Sequence, residues 1–265
     1  MQLPTDRESL LGMAARIERD LPELAAADDP ELAATHAYGL FTLGRIGHQL
    51  GEWETAERRF DEAANAFWEL GSRSDRQFAA SMRLSQASMA MADGRDLQAL
   101  GIVERMIEQF DGFPDLGEIP EQPALGLRLW LTLLEKTGEY ERLHEATGVA
   151  LALLDPAGST AERDVLAIAV AQRARSADNL GYAAETLVEL YEQAINALEG
   201  LDVAGADEYL DHAILRVAPL LGELERTEEA NAAFARVIER FTGNEEPEAR
   251  AAVGLAQAWL TLHAR

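Results

Sequence analysis

The sequence contains no cysteine and a single lysine, Lys136, among its 265 residues. The absence of cysteine excludes disulfides, thiolate nucleophiles and metal sites built on cysteine. No run of about 18 apolar residues occurs, so the sequence predicts no transmembrane helix. The N-terminal residues also lack the apolar core of a signal peptide, and we therefore expect a cytoplasmic protein.

Basic residues are scarce, with 23 Lys and Arg against 47 Asp and Glu and a formal net charge of −24. Such a charge repels the phosphates of nucleic acids and the head groups of anionic lipids. We therefore predict no nucleic-acid partner and no membrane partner. Solubility, or adaptation of the source organism, is an alternative reason for the acidity.

Residues that favour helices (Ala, Leu, Glu and Arg) dominate the chain, and hydrophobic residues make up 48 % of it. Apolar residues recur at helical spacing almost throughout, and strand-like alternation is nearly absent. The stretches between helix-breaking segments are too long for one helix, so each is predicted to hold two helices and a tight turn. The breaking segments are 26–30, 71–75, 112–123, 155–160, 199–207 and 242–247.

Four glycines mark the predicted turns at a nearly constant interval: Gly51, Gly94, Gly138 and Gly181. Their spacings are 43, 44 and 43 residues. Glycine is preferred at the left-handed position that ends a helix. A fifth turn is expected near Glu225, where glutamate stands in place of glycine. A fixed period of this length is an internal repeat and indicates a solenoid.

The second helix of each predicted hairpin carries a common packing pattern. The clearest copy holds Ala56, Phe60 and Ala63 at the fifth, ninth and twelfth positions after its turn, which lie on one helical face. Small residues beside a large one let two helices approach closely. In the fourth copy the pattern fits when it is shifted by one residue, to Leu187, Tyr191 and Ala194.

These features resemble the tetratricopeptide repeat (TPR) family of helical hairpins. Its signature is clearest in residues 43–63, with Leu43-Gly44, Gly51 and Trp53, and the later copies keep part of it. The family period is about 34 residues, so the period of 43–44 here implies longer helices or linkers. The resemblance implies an all-α, right-handed α-solenoid of about five antiparallel hairpins, with an N-terminal and a C-terminal capping helix.

One helical-repeat domain is predicted to span residues 1–265. It begins with a capping helix in 1–28, continues with helical hairpins in 29–243 and ends with a capping helix in 244–265. The last helix is apolar nearly all round, which leaves two explanations open. It is buried against the last repeat, or it contacts a partner or a second copy in a homodimer.

Motifs for catalysis or cofactor binding, such as a P-loop or H-E-x-x-H, are absent from the sequence. Glu141 and His144 have the Glu-x-x-His spacing of helical di-iron sites, but no second motif of that kind accompanies them. We therefore predict no catalytic residue, no metal and no cofactor, and we expect that the chain is not an enzyme.

The TPR resemblance implies a binding surface instead, because the first helix of each TPR hairpin lines a concave groove. Carried over to this sequence, the groove receives three arginines, and arginine binds carboxylates through two parallel hydrogen bonds. We therefore predict a non-enzymatic scaffold or adaptor that binds a peptide or partner protein, which can be acidic. The predicted groove residues are Tyr38, Phe41, Arg45, His48, Gln49, Leu84, Ser88, Arg128, Thr132 and Arg175.

Three alternatives stay open. The arginines could pair with neighbouring carboxylates on solvated faces. The chain could be a ligand- or peptide-sensing regulatory subunit that signals through a partner. It could also be an enzyme on a helical scaffold, an alternative that a buried cluster of histidine and carboxylates would favour.

Overall fold

The computed structural model describes residues 3–26, 28–111, 121–203 and 205–263. These residues form twelve α-helices and no β-strand, which confirms the all-α fold class. The helices are α1 (Arg7–Ala25), α2 (Pro30–Leu50), α3 (Trp53–Leu70), α4 (Arg73–Ala92), α5 (Asp96–Asp111), α6 (Glu121–Thr137), α7 (Tyr140–Leu153), α8 (Thr160–Asn179), α9 (Ala184–Leu198), α10 (Ala206–Glu223), α11 (Thr227–Phe241) and α12 (Pro247–Leu262).

Helices α2 to α11 form five successive hairpins, each joined by a turn at a predicted position. Most of the predicted break at 112–123, from 112 to 120, lies outside the described residues. The turn glycines adopt left-handed backbone conformations, with φ of 76°, 74°, 75° and 74° in chain order. Glu225 takes the same conformation at the fifth turn, with φ of 57°. The repeat period predicted from the sequence is therefore confirmed at the level of the backbone.

The same two backbone hydrogen bonds close the first and the fifth turn. At the first, the N–H of Gly51 donates to the carbonyl three residues earlier at 3.1 Å, and the next N–H donates to the carbonyl five residues before it at 2.8 Å. At Glu225 the corresponding distances are 3.1 and 3.0 Å. This pair of bonds is the Schellman motif, which satisfies the last carbonyls of a helix. Glutamate therefore makes a glycine-type turn at the fifth position.

The packing face predicted for the second helix of each hairpin is buried in all five copies. In α9 the face begins one residue later than in the other copies, because α9 starts three residues after its turn glycine rather than two. The buried residues are Ala56, Phe60 and Ala63; Ala99, Val103 and Met106; Leu143, Thr147 and Ala150; Leu187, Tyr191 and Ala194; Ala230, Phe234 and Val237.

Two compact units divide the chain: Met1–Gly126, called unit 1 here, and Leu127–Arg265, called unit 2. The boundary falls within α6. In unit 1 each helix from α1 to α5 packs against the next, and in unit 2 the same holds from α7 to α12. The single domain predicted for residues 1–265 stays a prediction.

The helices at both ends of the chain pack on their neighbours. α1 packs against α2 and buries Leu10 and Leu21. In α12, the ring of Trp259 covers Gly222 of α10, and its Nε1–H donates to Asn231 Oδ1 at 2.9 Å. This contact confirms burial against the last hairpin for one face of α12. Another face stays exposed, with Leu255 at 59 % and Leu262 at 76 % exposure, and its contact with a partner or a second copy stays a prediction.

Across the described parts of the chain, no helix combines the length and the hydropathy needed to cross a membrane.

Candidate functional site

A cavity of about 590 Å³ opens in unit 1 between α2 and α4, the first helices of the first two hairpins. We call it the unit 1 groove. Helices α2, α3 and α4 contribute the apolar residues Phe41, Phe60, Met82 and Met89 and the polar residues Arg45, His48, Gln49 and Ser85, which we call its apolar wall and its polar edge. Phenylalanine and methionine walls accept apolar side chains of varied shape.

The α2 side of the groove follows from helical spacing. Phe41, Arg45 and His48 are separated by four and three residues, so they lie on one face of the helix. The other face packs on α3, where a Cβ added at Gly44 would lie 2.7 Å from the Phe60 ring. The absence of a side chain at Gly44 therefore lets Phe60 reach the groove wall.

The aromatic residues of the apolar wall pack against further aromatic rings of unit 1. The ring of Phe41 lies 5.9 Å from that of Phe60 and 5.6 Å from that of Phe78, measured between centroids. Phe67 lies 4.8 Å from Phe78 and 4.8 Å from Tyr38. Tilted and edge-to-face pairs at these distances stabilise one another beyond their simple burial. The wall is therefore well packed before any ligand arrives.

The polar edge of the groove lies on aromatic rings. The guanidinium of Arg45 is 5.8 Å from the centroid of Phe41, a cation–π distance. The ring of His48 meets Trp53 edge-on at 4.7 Å. Arg45 and His48, whose side-chain nitrogens can donate hydrogen bonds, therefore line the cavity while they contact aromatic rings.

The structure brings together four of the ten predicted groove residues: Phe41, Arg45, His48 and Gln49 line the unit 1 groove. Tyr38 lies one turn earlier on α2 and is 53 % exposed, with its ring against Phe67 and Phe78.

On α4 the predicted Leu84 and Ser88 do not line this groove. The α4 residues that do so are Met82, Ser85 and Met89, and the last two each lie one position after a predicted residue. The α4 residues were predicted by adding the repeat period to the groove residues of α2. In the structure, the side of α4 that faces the groove is rotated from that prediction by about 100°, the angle of one residue. The apolar spacing of Met82 and Met89 is the signal that could have identified the correct face.

The other three predicted groove residues belong to unit 2. Thr132 Oγ1 donates to the carbonyl of Arg128 at 2.8 Å, within α6. Arg175 Nη1 lies 3.0 Å from Glu135 Oε1, an ion-pair contact outside hydrogen-bond geometry. For Arg175, the alternative that arginines pair with neighbouring carboxylates is therefore what the structure shows.

Arg175 belongs to a cluster that the sequence did not predict, which we call the polar cluster. It lies on α6, α8, α9 and α10 and consists of Glu135, Gln172, Arg175, Asp178, Tyr191, Tyr209, His212 and Arg216.

Glu135 accepts hydrogen bonds on one side of the polar cluster. Gln172 Nε2 donates to Glu135 Oε2 at 3.1 Å and to the hydroxyl of Tyr209 at 3.0 Å. The Tyr209 hydroxyl donates in turn to Glu135 Oε2. Burial first, and the carboxylate of Glu135 second, raise the pKa of Tyr209, so its phenol stays a neutral donor.

Asp178 occupies the other side of the polar cluster. Arg216 donates to its two oxygens at 2.7 and 2.8 Å, and the Tyr191 hydroxyl donates to Oδ2 at 2.8 Å. Burial alone would raise the pKa of Asp178, but the hydrogen bonds from Arg216 and Tyr191 outweigh it and hold the pKa below its usual value. His212 Nε2 is 3.2 Å from the Tyr191 hydroxyl. Because that hydroxyl donates to Asp178, Nε2–H of His212 is the donor to Tyr191.

In the Glu-x-x-His pair of α7, the histidine contacts a residue of α8. His144 Nδ1 lies 3.1 Å from Ser176 Oγ, and its ring lies 5.2 Å from that of Tyr182. In the portion of the chain that the structure describes, no group of three or more His, Cys, Asp or Glu is arranged to hold a metal ion.

The chain matches no protein-family model, and no curated protein matches it either. Among solved structures, it is similar to a signal transduction ATPase with numerous domains (STAND) from Pyrococcus horikoshii that has a tetratricopeptide repeat sensor, with a TM-score of 0.53 and 16 % identity. The match covers 97 % of this chain but 39 % of that protein, so the chain spans about two fifths of its length. A second match is BtubC (BKLC) from P. vanneervenii, with a TM-score of 0.46 and 16 % identity over 90 % of this chain and 94 % of that one. The first likeness supports an all-α helical-repeat fold for this chain.

Proposed function

We propose that this chain is a TPR-like, non-enzymatic interaction module whose unit 1 groove binds an extended peptide segment of a partner protein. The observation that carries the proposal is the meeting of Phe41, Arg45, His48 and Gln49 in one cavity. These four residues were predicted from the sequence as groove residues, and in the structure they line one cavity together with apolar side chains. A groove between the first helices of adjacent hairpins suits recognition of an extended segment.

The composition of the groove specifies the ligand chemistry. Phe60, Met82 and Met89 offer an adaptable apolar surface for an aliphatic side chain. Arg45 can hold a carboxylate at the edge through its planar pair of donors. The preferred ligand is therefore a short peptide with an aliphatic residue beside an acidic one. A densely acidic ligand is disfavoured, because the chain carries a net charge of −24.

The polar cluster of unit 2 holds the histidine and carboxylates that catalysis would require, and we assign it a structural role. Its two carboxylates already have partners: Arg216 and Tyr191 donate to Asp178, Tyr209 donates to Glu135 Oε2, and Arg175 forms an ion pair with Glu135 Oε1. Tyr191 is 1 % exposed, so its hydroxyl is inaccessible to a substrate in solution. A general acid or base must reach the proton that it moves. These features favour a cluster that links α6, α8, α9 and α10.

Selection from a library of random twelve-residue peptides displayed on phage tests the proposal. Wild-type chain should enrich peptides that combine an aliphatic with an acidic residue, and Arg45→Glu should abolish that enrichment. The matched control is Arg58→Glu, on the exposed face of α3, whose Nε lies 4.0 Å from Glu62. It makes the same charge change in unit 1 outside the groove and should enrich the same peptides as wild type.

Circular dichroism must first show that both variants retain wild-type helix content. If folded Arg45→Glu selects the same peptides as wild type, or if wild type selects none, the groove is not a peptide site.

A further inference from the structure

The short segment before α1 forms part of the unit 1 groove. Leu3 and Thr5 line the same cavity as Phe41, Arg45 and His48. Leu3 and Pro4 are half-buried, although they precede the first helix. An aliphatic side chain from the chain itself therefore already lies at the groove that the proposed function assigns to a peptide.

The start of α1 fixes the path of this segment. Asp6 Oδ1 accepts from the backbone N–H of Ser9 at 2.8 Å, and Asp6 has an extended backbone with φ of −93° and ψ of 145°. Leu10 in the first turn is 3 % exposed and anchors the helix. Pro4 also restricts Leu3 to extended conformations, because the ring of a proline disfavours helical geometry in the residue before it. The segment thus reaches the groove in an extended form at little entropic cost.

We infer that residues 3–5 are an intramolecular ligand of the unit 1 groove and that the groove binds an extended segment with a leucine-like side chain. A partner peptide must then displace residues 3–5. The second half of the inference rests on the proposed function. A tethered segment competes at a high effective concentration. The apparent affinity for an external peptide is then the intrinsic affinity multiplied by the fraction of molecules in which the groove is vacant.

Methionine methyl signals in NMR give a direct test, because Met82 and Met89 line the groove whereas Met106 is buried in α5. In the full chain with Leu3→Asp, the signals of Met82 and Met89 should shift and that of Met106 should stay. The matched control is Leu11→Asp, at a leucine of α1 that is 45 % exposed, which should leave the groove signals unchanged. Unchanged Met82 and Met89 signals in Leu3→Asp overturn the inference.

A peptide in trans completes the test. The synthetic octapeptide MQLPTDRE, identical to residues 1–8, is titrated at millimolar concentrations into the Leu3→Asp chain. It should return the signals of Met82 and Met89 toward their wild-type positions, and the same peptide with Leu3→Asp should not. Equal effects of the two peptides, or no effect of either, would mean that the groove does not recognise the leucine.

Displacement by a partner has its own readout. A peptide selected from the phage library should bind Leu3→Asp about tenfold more tightly than wild type, as expected if about nine molecules in ten have the groove occupied. Equal affinity overturns the displacement. If the library yields no peptide, the proposed function fails, while the methyl signals still decide whether residues 3–5 occupy the groove.

Discussion

Arg83 of α4 and Asp61 of α3 form an ion pair inside unit 1, with 2.9 Å between Nη1 and Oδ1 and only 2 % of the Arg83 side chain exposed. The other nitrogens of Arg83 are also satisfied: Nη2 donates to Asn65 Oδ1 at 2.7 Å and Nε donates to Gln109 Oε1 at 3.1 Å. One buried guanidinium therefore links three helices, because Gln109 belongs to α5.

Replacing this arginine should destabilise unit 1 strongly. Arg83→Met removes three hydrogen bonds and leaves their acceptors with fewer partners, at a cost of about 3 kcal/mol in the free energy of unfolding. Urea denaturation followed by circular dichroism measures the change. The matched control Arg58→Met removes an exposed arginine, with a side chain 64 % exposed, and should cost less than about 0.5 kcal/mol. Equal stability of the two variants would contradict a central role for Arg83.

The left-handed glutamate at the fifth turn predicts a stabilising substitution. Glu225→Gly relieves a backbone conformation with φ of 57° that is unfavourable for any side chain. The free energy of unfolding should increase by about 1 kcal/mol, which is measured as a higher melting temperature. Glu223→Gly, two residues earlier at the end of α10, should lower it, since glycine weakens a helix. A lower melting temperature for Glu225→Gly would show that its side chain contributes more than the strain it causes.

The close contact between Gly44 and Phe60 predicts a loss of stability and of groove shape. In Gly44→Ala the new methyl group would lie 2.7 Å from the Phe60 ring, and relief of that clash should cost about 1–3 kcal/mol. Gly12→Ala is the control, because a Cβ at this position in α1 has no neighbour within 4 Å. It should stabilise the chain by up to about 1 kcal/mol. Thermal denaturation of both variants decides the matter, and a neutral Gly44→Ala would refute the steric explanation.

The lowered pKa of His212 leads to a prediction of how the stability of the protein changes with pH. Burial first, and the Arg175 cation second, hold its pKa below the usual 6.5. The unfolded chain therefore binds a proton near pH 6.5 that the folded chain does not, so stability declines as the pH falls below about 6.5. The pKa of Asp178 is itself lowered from 3.8, so the stability that Asp178 contributes is lost only at lower pH.

The variant His212→Gln should flatten the dependence of the urea midpoint on pH between about pH 7 and pH 5. His144 also has a lowered pKa, caused mainly by burial, so part of the slope should remain. His36→Gln, in unit 1, leaves the polar cluster intact and serves as the control. A slope in His212→Gln as steep as in wild type would assign the pH dependence to other groups.

Local signals account for the parts of the fold that the sequence predicted. The turn glycines, and the expectation of a turn at Glu225, depend on the conformation of single residues and on a regular period. The α2 half of the groove was predicted for the same reason, since Phe41, Arg45 and His48 share one helical face. The α4 half was predicted one residue away, because the rotation of a helix about its axis depends on packing and not on the repeat period.

The polar cluster was beyond sequence reasoning for a different reason. Tyr209 and Glu135 are 74 residues apart in the chain, and Gln172 is 37 residues from each of them. Tyrosine, glutamate and glutamine at such distances carry no periodic signal. Only the tertiary fold, which brings α6, α8 and α10 together at this point, places their side chains within hydrogen-bond distance.

The later start of α9 has a geometric consequence for that cluster. Each residue of an α-helix advances the direction of its side chain by about 100°. With the shorter turn of the other hairpins, Leu190 would take the inward position, and the phenol of Tyr191 would lie about 100° away from Asp178 and His212. A single additional turn residue thus rotates α9 so that Tyr191 takes the inward position, and its hydroxyl connects Asp178 of α8 with His212 of α10.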